Sequence, residues 1–258
     1  MSEGEYLKPI LEALSIWDRG VIHGLGWLSA RGMNRVQVHR SCKAGELRRL
    51  GEGAFMRPSD DLHWAAAVEA MQTEFQYPVH VGGLSALELI GSSHFIRQSR
   101  REVQLVTYQK WNLPKWVRSN DWGVNFNLHR SRLFLGDVFL MEHREAGFHL
   151  AVSSRELAIF EHIDESNYKT SFESLENLML GLRTMRSDHL QSLLEGCRSS
   201  KVKRIFLYMS EKLDMPYLRK LDTSRIDLGR GFREVIKGGH RDGKYQITVP
   251  REDEGSSF

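Results

Sequence analysis

The sequence predicts an α+β protein: an N-terminal winged helix-turn-helix domain over residues 1–60, a larger mixed α/β domain over 61–250 with a helical segment and a terminal hairpin, and a flexible tail over 251–258. Three observations carry this reading. The stretch from Trp27 to Gly45 has the pattern of two short helices around a turn. Leu47 to Arg57 reads as two short strands joined through Gly51-Glu52-Gly53, where glycines tolerate the positive φ angles of a tight turn. Beyond Pro58 alternating strand patterns give way to a run of helix-start signals, and 258 residues suit about two domains.

The elements follow in order. Leu7, Ile10, Leu11, Leu14 and Trp17 have the spacing of an amphipathic helix over Glu5 to Trp17. Leu28 to Ala30 fits a short helix, Arg31-Gly32-Met33 a turn, and Asn34 an N-cap whose side-chain oxygen accepts from the helix's first amides. A second helix starts at Arg35, with Val36 and Cys42 expected inward, and stops at Ala44-Gly45. Pro58-Ser59-Asp60 marks a boundary, and Asp61 is expected to cap a helix through Trp64, Val68 and Met71.

Charge singles out the N-terminal segment. The whole chain carries only +3, yet Arg31 to Arg57 holds seven Arg or Lys against two Glu. A helix entering the major groove needs amide and guanidinium donors for base edges, while flanking cations neutralise phosphates and release counterions. This assigns Asn34, Arg35, Gln37, His39 and Arg40 to groove contacts, and Arg31, Lys43, Arg48, Arg49 and Arg57 to phosphates. The competing reading is a solvated basic face used for packing or protein contact.

Farther along, Tyr77 to Val81, Glu102 to Tyr108, Gly123 to Leu128, Asp137 to Glu142 and Gly147 to Val152 read as strands, the last two as a hairpin turned by His143 to Ala146. Ser85 to Ile90 reads as a helix. Three capping boxes follow, Ser153 with Glu156, Thr170 with Glu173 and Asp188 with Gln191. Lys201 to Leu213 places Val202, Ile205, Phe206, Met209 and Leu213 on one face, leaving Lys201, Lys203 and Arg204 as an expected exposed basic stripe and a candidate partner surface. Phe232 to Ile236 and Tyr245 to Val249 are expected to pair as a last hairpin.

Composition and motifs exclude several classes. Hydrophobic residues at 41% supply a packed core, the apolar runs are too broken by charge for a membrane span, and the N-terminus lacks a signal-peptide pattern, so a cytoplasmic location is expected. Two cysteines, Cys42 and Cys197, support neither a disulfide framework nor a zinc site. There is no HExxH pair and no phosphate-binding GxxxxGK[ST] loop, and Gly83-Leu84-Ser85-Ala86-Leu87 lacks the second glycine of a nucleophile elbow. His143 and His149 read as solvated residues beside a hairpin turn. No metal, cofactor or catalytic set is expected.

The strand ending in Val79-His80-Val81, followed by Gly82-Gly83, a helix and a strand carrying Glu102 and Gln104, resembles the opening of a nucleotidyltransferase core. That resemblance implies a glycine pair holding triphosphate and two acidic residues, one apart, holding metal ions. A neutral amide at Gln104 is a weak ligand for a hard cation, so the resemblance implies a degenerate core. An ordinary strand-turn-helix-strand accounts for the same residues, and a DNA-targeted nucleotidyltransferase using Glu102 remains the enzyme alternative.

Taken together, GELRRLGEGAFMRP from Gly45, VGGLSALELIG from Val81, LPKW from Leu113, SSRELAIFEHID from Ser153, LLEGCRSSKVKRIFLYMSEK from Leu193 and IDLGRGFREVIKGGHRDGKYQITVP from Ile226 resemble the AbiEi antitoxins of abortive-infection toxin-antitoxin systems. The resemblance covers nearly the whole chain. It implies a winged-helix repressor of its own operon, acting on double-stranded operator DNA with inverted repeats, and a C-terminal domain that counters a nucleotidyltransferase-like toxin, with or without direct contact. Since palindromic operators mirror protein dyads and the sequence has no coiled-coil seam, two copies are expected to meet on DNA.

Overall fold

The computed structural model describes residues 3–91, 102–136, 138–166 and 172–251. The expected cap Thr170 and the tail beyond Arg251 lie outside the described residues.

The chain opens with helix α1 (Glu3–Ser15), a two-residue strand β1 (His23–Gly24), helices α2 (Leu25–Ser29) and α3 (Arg35–Lys43), and strands β2 (Arg48–Gly51) and β3 (Ala54–Met56). β3 is central in a small antiparallel sheet, order β1-β3-β2, pairing His23 with Phe55 and Arg48 with Met56. A bulge between Arg49 and Gly51 twists the β2–β3 hairpin. Ile10, Ala13, Trp17, Leu28, Met33, Val38, Leu47 and Phe55 form one apolar core between the helices and this sheet.

Asn34 caps α3 as expected. Its Oδ1 accepts from the Gln37 amide at 3.0 Å while Gln37 Oε1 accepts from the Asn34 amide at 2.9 Å, a reciprocal capping box. The inward face of α3 differs from expectation. Val36 is 60% exposed and Val38 only 3%, because Val38, Ser41 and Cys42 recur at i, i+3 and i+4 and Val36 lies well around the helix from them. Leu11 of α1 likewise points outward, at 62% exposure.

The opposite face of the small sheet does not meet water. Ile22, Leu50, Ala54 and Met56 are buried in a second, larger core that continues through the rest of the chain. That core is organised by a mixed five-stranded sheet, order β6-β5-β4-β8-β7, from β4 (His80–Val81), β5 (Glu102–Thr107), β6 (Asn125–Arg130), β7 (Leu140–Glu145) and β8 (Phe148–Ser153). β4 pairs antiparallel with β5 and parallel with β8, and β5 pairs parallel with β6. Helix α4 (Trp64–Glu69) runs into a π-turn over Ala70–Glu74, and α5 (Gly83–Leu89) packs on α7 (Arg155–Glu165) against the sheet. A four-residue helix α6 (Lys115–Arg118), then α8 (Phe172–Leu180), α9 (Ser187–Gly196) and α10 (Ser200–Lys212), and a final hairpin of β9 (His240–Asp242) with β10 (Ile247–Val249) complete the fold.

Several local expectations shift by a few residues, each for a visible reason. The β7–β8 turn is Ala146-Gly147 and not His143 to Ala146, since both turn residues take positive φ (50° and 94°) and Glu145 pairs with Phe148. α4 is capped by His63, whose Nδ1 accepts from the Ala65 amide, and not by Asp61. α7 is capped by Ser154, because Ser153 Oγ donates instead to buried Glu161 at 2.7 Å. Asp188 lies inside the first turn of α9, paired with Arg186 at 2.7 Å. In the last hairpin the partner of β10 is His240–Asp242, and Phe232 to Ile236 contributes only a single bridge at Arg233.

The expected basic stripe on α10 is largely interior. Lys203 is 5% exposed and Arg204 1%, while Lys201 is half-buried, with its ammonium held below the ordinary lysine range by burial. The Arg204 guanidinium donates to the carbonyls of Leu228, Gly229, Gly231 and Gln246 at 2.6–3.2 Å, so it organises the C-terminal segment instead of facing solvent.

Candidate nucleic-acid interface

The ten N-terminal residues singled out by charge and donor type divide into two groups. One group is engaged locally. Arg31 lies over the Trp27 ring, 3.5 Å from its centroid, and donates to the Trp27 carbonyl at 3.1 Å. Arg48 donates to the Asp60 carbonyl at 3.3 Å, and Arg57 to the Trp17 carbonyl at 2.8 Å, with Asp60 4.0 Å from its Nε. All three are half-buried. Asn34 and Gln37 are bound to each other by the capping box, and Gln37 is only 8% exposed.

The other group faces outward. Arg35, His39, Arg40 and Lys43 are exposed on α3, and Arg49 is exposed on β2. Arg35, His39 and Lys43 form one rim of a groove of about 630 Å³, with Arg49 and Glu52 of the hairpin on the other. Its floor is apolar, made by Leu25, Val38, Cys42 and Phe55. Burial pushes the Cys42 thiol up, so the floor stays uncharged. The geometry is a cationic cleft with an apolar base.

An aromatic cluster joins β1, α2 and the segment after α1. His23 stacks on Trp27 with ring centroids 3.9 Å apart, and Trp17 packs on both rings. Glu74, from the π-turn, accepts from the Gly24 amide at 2.9 Å and lies 3.1 Å from His23 Nδ1. Burial holds the His23 imidazole below its ordinary value even against that carboxylate. The i, i+4 spacing of Trp27 and Arg31 was a usable sequence signal for the stack. Glu74 had none, since its partners are some fifty residues away.

The Gly82-Gly83 region is a second arrangement of interest. A Cβ on Gly83 would fall against the Gln104 side-chain amide, and one on Gly82 against the Glu161 carboxylate and Val106. The backbone donors here are already used: the Gly83 amide donates to Glu161 Oε2 at 3.0 Å and the Leu84 amide to Gln104 Oε1 at 3.1 Å. Glu161 also accepts from Tyr108 and Ser153, each at 2.7 Å, and lies 2.8 Å from His80 Nε2. Gln104 is 3% exposed, and Glu102 is bonded to Asn127 at 2.8 Å. Among the described residues no group of three or more His, Cys, Asp or Glu could hold a metal ion, and no helix is long and apolar enough to cross a membrane. His149, expected to be solvated, is exposed and lies 2.5 Å from Glu142 across the β7–β8 hairpin.

Comparison with known proteins bears on the whole chain. Residues 100–250 match the family model described as "Transcriptional regulator, AbiEi antitoxin, Type IV TA system", and residues 8–98 match the model of the AbiEi antitoxin N-terminal domain. Among solved structures, the chain resembles the RV2827C protein from Mycobacterium tuberculosis with a TM-score of 0.55 at 14% identity, covering 95% of this chain and 91% of that one, a likeness of fold. None of the curated proteins matches. With both halves of the chain matched in order, by models that together leave out little more than its two ends, the protein belongs to the AbiEi family of type IV toxin-antitoxin transcriptional regulators and is an antitoxin of that family.

Proposed function

We propose that the N-terminal unit is a winged helix-turn-helix module that binds double-stranded operator DNA, and that the protein represses its own operon while its C-terminal unit counters a nucleotidyltransferase-like toxin. The observation that carries the DNA reading is the cationic cleft: Arg35, His39 and Lys43 of α3 face Arg49 of the hairpin across one groove. Such an arrangement suits a duplex, with α3 directed to base edges and the wing to the sugar-phosphate backbone. Membership of a transcriptional-regulator family supports it. Two copies on an inverted repeat would place two such clefts about a dyad.

The antitoxin reading rests on family membership alone, and the toxin is a functional partner, with or without direct contact. A non-enzymatic C-terminal unit is supported by the engagement of the Gly83 and Leu84 amides by Glu161 and Gln104. These donors would have to be released before a triphosphate met them.

A mobility-shift titration of the full chain with its own upstream region, at several salt concentrations, tests the central claim. Wild type should retard that duplex more strongly than a random one. A variant with Arg35, His39 and Lys43 replaced by Ala should lose affinity and show a flatter dependence on salt, because fewer counterions are released. Absence of duplex binding by the folded wild type would refute the reading.

A further inference from the structure

The wing is not a free-standing finger. Helix α6, from the second unit, is fastened to its first strand. Asn120 Nδ2 donates to the Leu50 carbonyl at 2.8 Å and to the Trp116 carbonyl at 2.7 Å, tying β2 and α6 through one amide. Gly51 lies so close that a Cβ there would come within 2.7 Å of Trp116 Cβ. Trp116 is 2% exposed, its ring packed on Phe75 and Trp122 at 5.4 and 5.9 Å, so α6 is anchored in the large core.

This packing creates a second groove of about 340 Å³ beside the wing, lined by Arg49 and Glu52 on one side and Lys115 and Ser119 on the other. Arg49 lines both this groove and the cleft against α3, so its guanidinium stands on the ridge between them. Lys115 is exposed and forms no ion pair with another described residue. Its ammonium on a flexible four-carbon stem suits a phosphate, which asks for charge and no fixed donor geometry. Among the described residues, Glu52 at the wing turn is the one acidic residue lining either groove.

We propose that Lys115 is a DNA-phosphate contact contributed by the second unit, extending the bound surface from the α3 cleft across the Arg49 ridge onto α6. The proposal rests on the DNA-binding reading and adds to it a contact outside the helix-turn-helix. Each neutralised phosphate contributes about 0.9 to the slope of log affinity against log salt.

The test uses the full chain and the duplex of its own upstream region. Salt titrations compare wild type, Lys115→Ala, Lys115→Arg and, as a control on the C-terminal segment, Lys237→Ala. Lys115→Ala should bind several-fold more weakly at low salt and lose about 0.9 from the slope. Lys115→Arg should keep both and Lys237→Ala should match wild type. If wild type binds and Lys115→Ala reproduces its affinity and slope, the α6 contact is wrong while the cleft stands. If folded wild type binds no duplex, the DNA reading and this extension fall together.

Discussion

His80 and Glu161 meet in the interior of the five-stranded sheet, with Nε2 2.8 Å from Oε1, the His80 side chain 6% exposed and the Glu161 side chain not at all. Burial alone would raise the Glu161 carboxyl, but the charge and hydrogen bond of His80, with those of Ser153 and Tyr108, outweigh it and hold the group below the ordinary glutamate value of 4.5. A buried carboxylate with that many donors joins β4, β8, α5, α7 and Tyr108 just after β5 at one point. Replacing one member leaves the others desolvated and unpaired, which is the costly case.

Glu161→Ala should therefore destabilise the protein by about 3–5 kcal/mol, read by chemical denaturation at neutral pH. The pH dependence has a definite sign. A carboxyl whose folded value lies below its unfolded one stabilises fully above the unfolded value and loses that contribution as pH falls through the folded one. Wild type should lose stability on acidification below about 4.5, and Glu161→Gln should give a flatter acid limb. An unchanged acid limb would show that the group does not titrate as the geometry requires.

The capping box separates structural from recognition roles at α3. Asn34→Ala should cost about 1 kcal/mol of stability, whereas Asn34→Asp, which caps equally well, should cost little. If Asn34 also donates to a base edge, Asn34→Asp should lose operator preference while remaining stable. Retention of both properties by Asn34→Asp would restrict this residue to capping.

Arg31 and Arg57 should behave unlike Arg35 and Lys43. Replacing Arg31 by Ala removes the stack on Trp27 and its hydrogen bond to the Trp27 carbonyl, so its main effect should be a lower melting temperature. The salt slope of DNA binding should change little. Arg35→Ala should leave the melting temperature near wild type and reduce affinity. An Arg31→Ala protein of normal stability with a flattened slope would return that residue to the phosphate contacts.

Arg204 satisfies four carbonyls that belong to the segment between Leu228 and Gln246. Lysine has the charge but not the planar fork, so Arg204→Lys should fail to reproduce the network. Hydrogen exchange should accelerate over that segment in Arg204→Lys while α3 and the small sheet keep wild-type protection. Uniform acceleration across the chain would mean a global effect and no local role.

Residues 1–60 as an isolated fragment should not hold the native sheet. Ile22, Leu50, Ala54 and Met56 belong to the large core, and the Gly24 amide donates to Glu74, beyond the fragment, at 2.9 Å. Removing the second unit exposes an apolar face that a module of this size cannot bury elsewhere. Circular dichroism and a dispersed amide spectrum decide the matter, and a well-dispersed spectrum of the fragment would contradict this expectation.

Local chemistry made part of this fold legible. Asn34 ahead of α3, the glycines of the β2–β3 turn and the apolar row of α10 all act within one or two turns of chain, and the structure follows them closely. The misreadings have a common cause in distant partners. Ser153 was expected to cap a helix, but Glu161 claims its hydroxyl. Lys203 and Arg204 were expected to be solvated because charge ordinarily is, yet both are buried, and the C-terminal segment supplies Arg204 with carbonyls that no helical pattern encodes. The cleft divides in the same way: charge density located it, while Trp17, Trp27 and Asp60 decided which cations were withheld from solvent.

The central strand of the small sheet spans only Ala54, Phe55 and Met56, and its side chains alternate between the two cores, Phe55 to the smaller and its neighbours to the larger. Inserting or deleting one residue just before Ala54 would turn the strand over, sending a phenyl ring into the space now fitted to an alanine and a methionine and withdrawing it from between α1 and α3. The hairpin tip is therefore under a parity constraint: changes in its length that preserve the protein must come in pairs or be absorbed as bulges like the one between Arg49 and Gly51.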